Sequence, residues 1–239
     1  MLQIQNLVKK FGSFTAVDGI NLQVKSGELY GFLGQNGAGK TTTIKMITGI
    51  YAPTSGSIKI NGLDITKNPL EAKMLIGYVP DQPFLYDKLT GREFLYFSGG
   101  LYNFSKKQIT DKIDELVSLL NIESWFDKRT EEYSQGMKQR ITIASALLHE
   151  PKLIVLDEPM VGLDPQSTVL VKNILKKKVA EGNSVFVSTH SLSFAEEVCT
   201  KIGIIKNGKM IYEDKHEAIE TIKADLNSNF EEVFLELTK

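Results

Sequence analysis

The segment "LYGFLGQNGAGKTTT" at residues 29–43 constrains this chain more than any other. A short apolar run enters a glycine-rich loop, and "KTTTIKMITG" then reads as a helix that Gly49 stops. Within it, Gly34–Thr41 fits the pattern G-x-x-x-x-G-K-[ST]. Such a loop curls its backbone N–H groups around a phosphate, and the helix N-terminus behind it adds partial positive charge. The expected cradle is Gly34, Gln35, Asn36, Gly37, Ala38, Gly39, Lys40, Thr41 and Thr42. Lys40 is placed to reach the β- and γ-phosphates, and the Thr41 hydroxyl to ligate Mg²⁺. An ordinary glycine turn capping a helix would not need the preceding strand, the lysine and the hydroxyl in this order.

The remaining elements agree with an α/β fold. "LQIQNLV" and "INLQV" alternate as strands, and "SGSIKINGLDI" reads as a strand with an Asn-Gly turn at 61–62. From about 84 to 150 the character turns helical. "SKKQITDKIDELVSLL" opens with Ser105 and Gln108 spaced as a capping box, and Ile109, Ile113, Leu116 and Leu120 follow at helical spacing. "KLIVLDEP" (152–159) and "SVFVSTH" read as strands buried on both faces. Between them lies a helix with Asp164 as N-cap, Pro165 in its first turn and Gly182 past its end. "IGIIKNGKMIY" reads as a hairpin around Asn207-Gly208. The pattern predicts a mostly parallel sheet core, an antiparallel N-terminal β layer and an inserted helical subdomain. The catalytic core would cover about 1–83 and 151–239, and the helical subdomain about 84–150, within one domain spanning residues 1–239.

Composition excludes several classes. The net charge is −1 and the pI about 6.3, so no nucleic-acid partner is expected. Cys199 is the single cysteine, which forbids an intrachain disulfide and fits a reducing compartment. The N-terminal stretch lacks the pattern of a signal peptide. The longest apolar runs, such as "LIVL" at 153–156, fall far short of the ~18 residues of a spanning helix.

Two carboxylates complete a hydrolytic reading. Asp157 ends the strand "LIVLD", where it can hold Mg²⁺ through water. Glu158 follows and is a candidate general base for water attacking a γ-phosphate. A second anion-binding helix start comes just before them, in "YSQGMKQR" at 133–140.

The ordered set of motifs resembles the ATP-binding cassette (ABC) family over nearly the full chain. Phosphate loop (Gly34–Thr41), glutamine loop (Gln82), signature (Tyr133–Met137), Asp157 with Glu158, D-loop (Asp164) and switch histidine (His190) follow in the family's order. The resemblance implies the phosphate-loop NTPase fold of that family. It also implies that two cassettes sandwich two ATP molecules head to tail. Ser134, Gln135 and Gly136 would then meet the γ-phosphate held by the partner cassette, and Asp164 would contact across the dimer while capping its helix. Lys40, Gln82, Glu158 and His190 would be catalytic, and Mg²⁺ would be held by Thr41, Gln82 and Asp157. Phe11 matches the aromatic that stacks on adenine; a strand-end aromatic in a small core is its other reading. The signature departs from the usual L-S-G-G-Q at Tyr133, Gln135 and Met137. The Gln135 side chain would crowd the phosphate if that backbone needed a positive φ.

The same resemblance implies an ATPase coupled to transport, partnered by an integral membrane permease and by a second cassette, whether a copy or a paralogue. The chain would then lie in the cytoplasm, peripheral on the inner face of the membrane. The tail "FEEVFLELT" and the phrases "QNGAGKTTT" and "YSQGMKQR" resemble exporter-type cassettes. The alternative is a soluble ABC ATPase acting on the ribosome or DNA. A small-molecule kinase would leave the signature and His190 unexplained. Phe84, Leu85 and Tyr86 in "DQPFLYDKLT" either form a groove for a permease helix or pack within the lobe. His149, His216, Trp125, Cys199 and the run Lys176–Lys178 carry no functional reading. His149 sits near a helix C-terminus, where positive charge is favourable.

Overall fold

A computed structural model describes residues 1–215 and 230–238. His216 lies outside the described residues. Two sheets form the frame. The antiparallel one has the order β2-β1-β4-β5, built from β1 (Leu2–Phe11), β2 (Phe14–Val24), β4 (Ser55–Ile60) and β5 (Leu63–Asp64). The six-stranded one has the order β10-β9-β3-β8-β7-β6. Its parallel members are β9 (Lys201–Lys206), β3 (Leu29–Leu33), β8 (Ser184–Thr189), β7 (Leu153–Asp157) and β6 (Ile76–Val79). β10 (Lys209–Lys215) closes one edge antiparallel, through the expected turn at Asn207 and Gly208, both with positive φ.

Alternation along β3 divides the core. Tyr30 and Phe32 face the antiparallel sheet and pack with Phe186, Ile44 of α1 (Lys40–Ile47) and Ile58. The Tyr30 and Phe186 rings stack with centroids 5.5 Å apart. Leu29 and Leu33 face the other way, into a cluster with Val187, Leu156 and the helical lobe. Each such fully buried side chain contributes roughly 1.5–3 kcal/mol of hydrophobic stabilisation.

The alternation expected over "LQIQNLV" breaks at Asn6. Leu2, Ile4 and Leu7 are buried, so the phase slips by one residue. Asn6 has φ 46°, and the β1 register shifts there against both neighbours. A bulge of this kind re-aims the strand. Gly56 lies opposite, where a Cβ would come within 2.3 Å of the Asn6 carbonyl oxygen.

The lobe holds α3 (Gly91–Gly100), α4 (Lys106–Leu120) and α5 (Gln135–Leu147), with α2 (Pro69–Lys73) lying earlier in the chain. The Ser105–Gln108 capping box forms, and Ile109, Ile113, Leu116 and Leu120 are buried. Thr90 and Glu93 make a second box at the start of α3. α5 belongs as much to the sheet as to the lobe. A Cβ on Gly77 of β6 would sit 2.2 Å from the Ala146 carbonyl oxygen. After β7 come α6 (Pro165–Ala180), α7 (Leu192–Val198) and α8 (Phe230–Thr238). Short β6, α2 and α7 carry too few periodic residues to be read from sequence, and α8 was legible only as a tail.

The residues without functional readings mostly pack. Cys199 is buried, which pushes its thiol pKa up. Trp125 sits edge-to-face on Tyr133, with the Arg140 guanidinium over its ring. Lys177 and Lys178 pair with Glu181 on an exposed face. His149 differs from expectation. It is buried, its ring stacks on Tyr102 at 3.9 Å, and its Nε2–H donates to the Ile76 carbonyl at 2.9 Å. Burial lowers its pKa and favours the neutral ring, so it is not a cation at a helix end.

Candidate active site

The parallel strands deliver every catalytic candidate to one edge. β3 ends at the phosphate loop, β7 at Asp157 and Glu158, β8 before His190, and β6 before Asp81 and Gln82. Ligands of open α/β sheets bind at this carboxyl edge. The cleft there has a volume of about 370 Å³. Its lining includes Phe14, Gly37, Lys40, Thr41, Asp81 and Glu158.

The loop owes its course to glycine. Gly37 and Gly39 have φ 81° and 112°. A Cβ at Gly39 would also stand 2.7 Å from the Ala16 carbonyl oxygen. Lys40 is 6% exposed and turns back over the loop. Its Nζ donates to the Gly34 carbonyl at 2.8 Å and the Gln35 carbonyl at 3.3 Å. It also lies 3.5 Å from Glu158 Oε1.

Glu158 is the centre of the cluster. His190 Nδ1 is 3.0 Å from its Oε2, and the His190 backbone N–H donates to the same oxygen at 3.3 Å. Glu158 has φ 48°, a left-handed backbone that its own N–H fixes by donating to the Ser188 carbonyl at 3.1 Å. Such a strained conformation persists where the surroundings over-determine it.

Asp157 is fully buried and accepts a hydrogen bond from the Ser188 hydroxyl on Oδ1. Its Oδ2 is buried and has no hydrogen-bond partner within range among the described residues. Burial raises its pKa, while the Ser188 and Thr41 hydroxyls pull it back. An orphaned buried carboxylate oxygen beside a threonine hydroxyl suits a hard divalent cation, which favours oxygen ligands.

Two of the expected site residues, Gln82 and Phe11, do not line this cleft. Gln82 is exposed on the loop after β6, and its neighbour Asp81 lines the cleft instead. Phe11 turns to Tyr51, edge-to-face at 5.6 Å, while Phe14 stands on the cleft wall. Sequence reasoning missed Ser188, Asp81 and Phe14. Only Ser188 carried a signal, as a hydroxyl inside an otherwise apolar buried strand.

The signature segment Tyr133–Met137 is absent from the cleft lining. Ser134 caps α5 by accepting from the Met137 N–H at 3.3 Å. Tyr133 is buried, and its hydroxyl accepts from the Gly91 N–H at 3.1 Å. Gln135 is helical, without a positive φ, so the feared crowding does not arise. Its side chain lies over Gly162, where a Cβ would meet Gln135 Cγ at 2.5 Å. Asp164 caps α6 by accepting from the Ser167 N–H at 2.8 Å, and this bond with the Ser167 hydroxyl lowers its pKa.

Comparison with known proteins agrees with this geometry. Residues 17–161 match the ABC transporter family. The chain is 41% identical over 214 residues to the bacitracin transport ATP-binding protein BcrA of Bacillus licheniformis, covering 89% of this chain and 69% of that one. It is 40% identical to the linearmycin resistance ATP-binding protein LnrL of Bacillus subtilis, covering 88% and 68%. A solved ATP-binding subunit of an ABC transporter superposes over 100% of both chains, with TM-score 0.93 and 30% identity. A dimeric ATP-binding cassette in a post-hydrolysis state with ADP and Pi is similar over 90% of this chain and 99% of that one, with TM-score 0.80 and 26% identity. The chain is therefore a member of the ABC transporter family.

Proposed function

We propose that this chain is the ATP-binding and hydrolysing subunit of an export transporter, and that it drives a separate membrane permease by closing on a second cassette. The observation that carries this reading is the division of labour in one chain. Lys40, Asp157, Glu158 and His190 gather at the phosphate loop, whereas Ser134 and Gly136 begin a helix outside that cleft. A second cassette would bring its signature to this loop, making a composite site.

The residues divide the chemistry as follows. Lys40 and the amides of residues 34–42 bind and offset phosphate charge. Glu158 holds the attacking water and takes its proton, and His190 orients Glu158 and the water. Thr41 and Asp157 would hold Mg²⁺, which supplies charge neutralisation across the β- and γ-phosphates when bound. Gln82 joins them only if its loop moves inward. Ser134 and Gly136 would donate to the partner's γ-phosphate from the start of α5.

A permease surface fits beside the lobe. Leu85 is buried, but Phe84 is 76% exposed and Tyr86 47%. A groove of about 350 Å³ is lined by Phe84, Tyr78, Tyr102 and Ile50 among others. Exposed apolar surface of this kind suits an amphipathic helix laid into a groove. Among the described residues no helix is long and apolar enough to cross a membrane. The chain would thus sit at the inner face of the membrane through its permease. Relatives named for Nod factor export and peptide export support the export direction. They give no support to the soluble alternative on ribosome or DNA.

The test is nucleotide binding and phosphate release measured side by side. Lys40→Met is expected to lower phosphate release at least ~10²-fold. Glu158→Gln is expected to keep ATP binding and lose ~10²–10⁴-fold in release. Unchanged release in Glu158→Gln would refute the assigned base.

A further inference from the structure

Tyr133 stands where the L-S-G-G-Q pattern has leucine, and its hydroxyl makes contacts for which a leucine lacks the atoms. The side chain is 6% exposed, and its ring meets Trp125 edge-to-face at 4.9 Å. The hydroxyl accepts from the Gly91 N–H at 3.1 Å. Its one hydrogen can go to the Trp125 or the Phe126 carbonyl, each 3.2 Å away. Gly91 opens α3, and the first N–H groups of a helix have no partner within it. Here Tyr133 takes the Gly91 N–H, the Phe126 carbonyl takes the Arg92 N–H at 3.3 Å, and the Thr90 hydroxyl takes the Glu93 N–H at 3.2 Å. A Cβ at Gly91 would stand 2.5 Å from the Tyr133 oxygen, so glycine is what lets the two approach. The loop before α3 is also tied to the residues before Tyr133. The Thr130 N–H donates to the Leu89 carbonyl and its hydroxyl to the Tyr86 carbonyl, both at 2.9 Å. The Glu131 N–H donates to the Asp87 carbonyl at 3.3 Å. Tyr133 and Ser134 both have extended backbone, so their side chains point to opposite sides of the chain. Tyr133 is buried in the lobe, and Ser134 is left exposed.

We infer that Tyr133 is the positioning residue of the signature: its hydroxyl locks the start of α5 to the loop 86–91, so that Ser134 is held outward at a fixed place for the phosphate bound by a second copy of the chain. This rests on the composite-site reading above and adds the residue that sets its donor. Loop 86–91 and the start of α5 then move as one body. Lys40, Thr41 and Glu158 line the cleft and Tyr133 does not, so nucleotide binding by a single chain is independent of the lock.

ATP-dependent dimerisation of the Glu158→Gln protein tests it, read as solution mass over a range of protein concentration. Adding Tyr133→Phe keeps the ring, leaves a buried N–H unsatisfied, and is expected to weaken the dimer about tenfold. The ATP affinity of the single chain, measured below the dimerisation range, is expected to stay the same. Tyr96→Phe is the control. It removes another hydroxyl of the lobe, one bonded to the Thr110 hydroxyl at 2.8 Å, and is expected to leave the dimer unchanged. Amide hydrogen exchange in Glu158→Gln alone gives a second reading that does not depend on how a Tyr133 variant folds. On addition of Mg-ATP the Gly91 and Met137 amides are expected to slow together. An unchanged dimer in Tyr133→Phe, a loss of single-chain ATP affinity, an equal loss in Tyr96→Phe, or Gly91 exchange that does not respond to closure overturns the assignment. A Glu158→Gln protein that stays monomeric in Mg-ATP overturns closure on a second copy, on which the inference stands.

Discussion

Lys40 Nζ has three hydrogens, and two of them already point at the Gly34 and Gln35 carbonyls. The ammonium is thereby held over the loop beside Glu158 before any phosphate arrives. Ser188 plays a comparable part for Asp157, fixing one carboxylate oxygen and leaving the other without a hydrogen-bond partner among the described residues. Groups that orient a metal ligand typically matter ~10–100-fold. Ser188→Ala is therefore expected to weaken Mg²⁺-dependent nucleotide binding by about that factor, while binding measured in EDTA changes little. A second residue-scale prediction concerns His149. Its folded pKa lies below the ordinary value near 6.5. On acidification the unfolded chain binds this proton first, so stability is full above about 6.5 and falls as pH drops through the window below it. Thermal unfolding of the wild type should lose more between pH 7.5 and 5.5 than that of His149→Gln. Equal losses would show that His149 titrates normally.

At the scale of elements, α5 ties the signature to the sheet. Ser134 caps its start, Gln139 donates to the Pro159 carbonyl at 3.1 Å midway, and Ala146 lies against Gly77 near its end. The close approach at Gly77 leaves no room for a methyl group. Gly77→Ala is expected to destabilise the fold by ~1–3 kcal/mol, the usual range for overpacking. Ser105→Ala, which removes only a cap, should cost ~1 kcal/mol. Urea denaturation would rank the two, and the reverse order would contradict the packing described. These elements also mark what the sequence made legible. Strong local signals survived: the capping box at Ser105, the αL residues of both Asn-Gly turns, and the buried runs of β7 and β8. The slip at Asn6 did not, because a bulge is set by two partner strands at once. Phe14 and Phe11 are equally aromatic and three residues apart, so only the packing of Phe11 against Tyr51 shows which ring lines the cleft. Ser188 was hidden for a similar reason, since its meaning comes from the neighbouring strand that carries Asp157.

For the whole molecule, the central claim is that one cassette holds half of each site and acts only when paired. The dimeric cassette with ADP and Pi to which this chain is similar supports the arrangement. Binding would close the pair, and hydrolysis would remove the γ-phosphate that joins them. The most direct measurement is the solution mass of Glu158→Gln with and without Mg-ATP. The account predicts a shift from monomer to dimer that needs ATP, is absent with ADP, and is lost when Ser134→Ala is added. A protein that binds ATP and stays monomeric at every concentration tested would contradict closure on a second copy of itself.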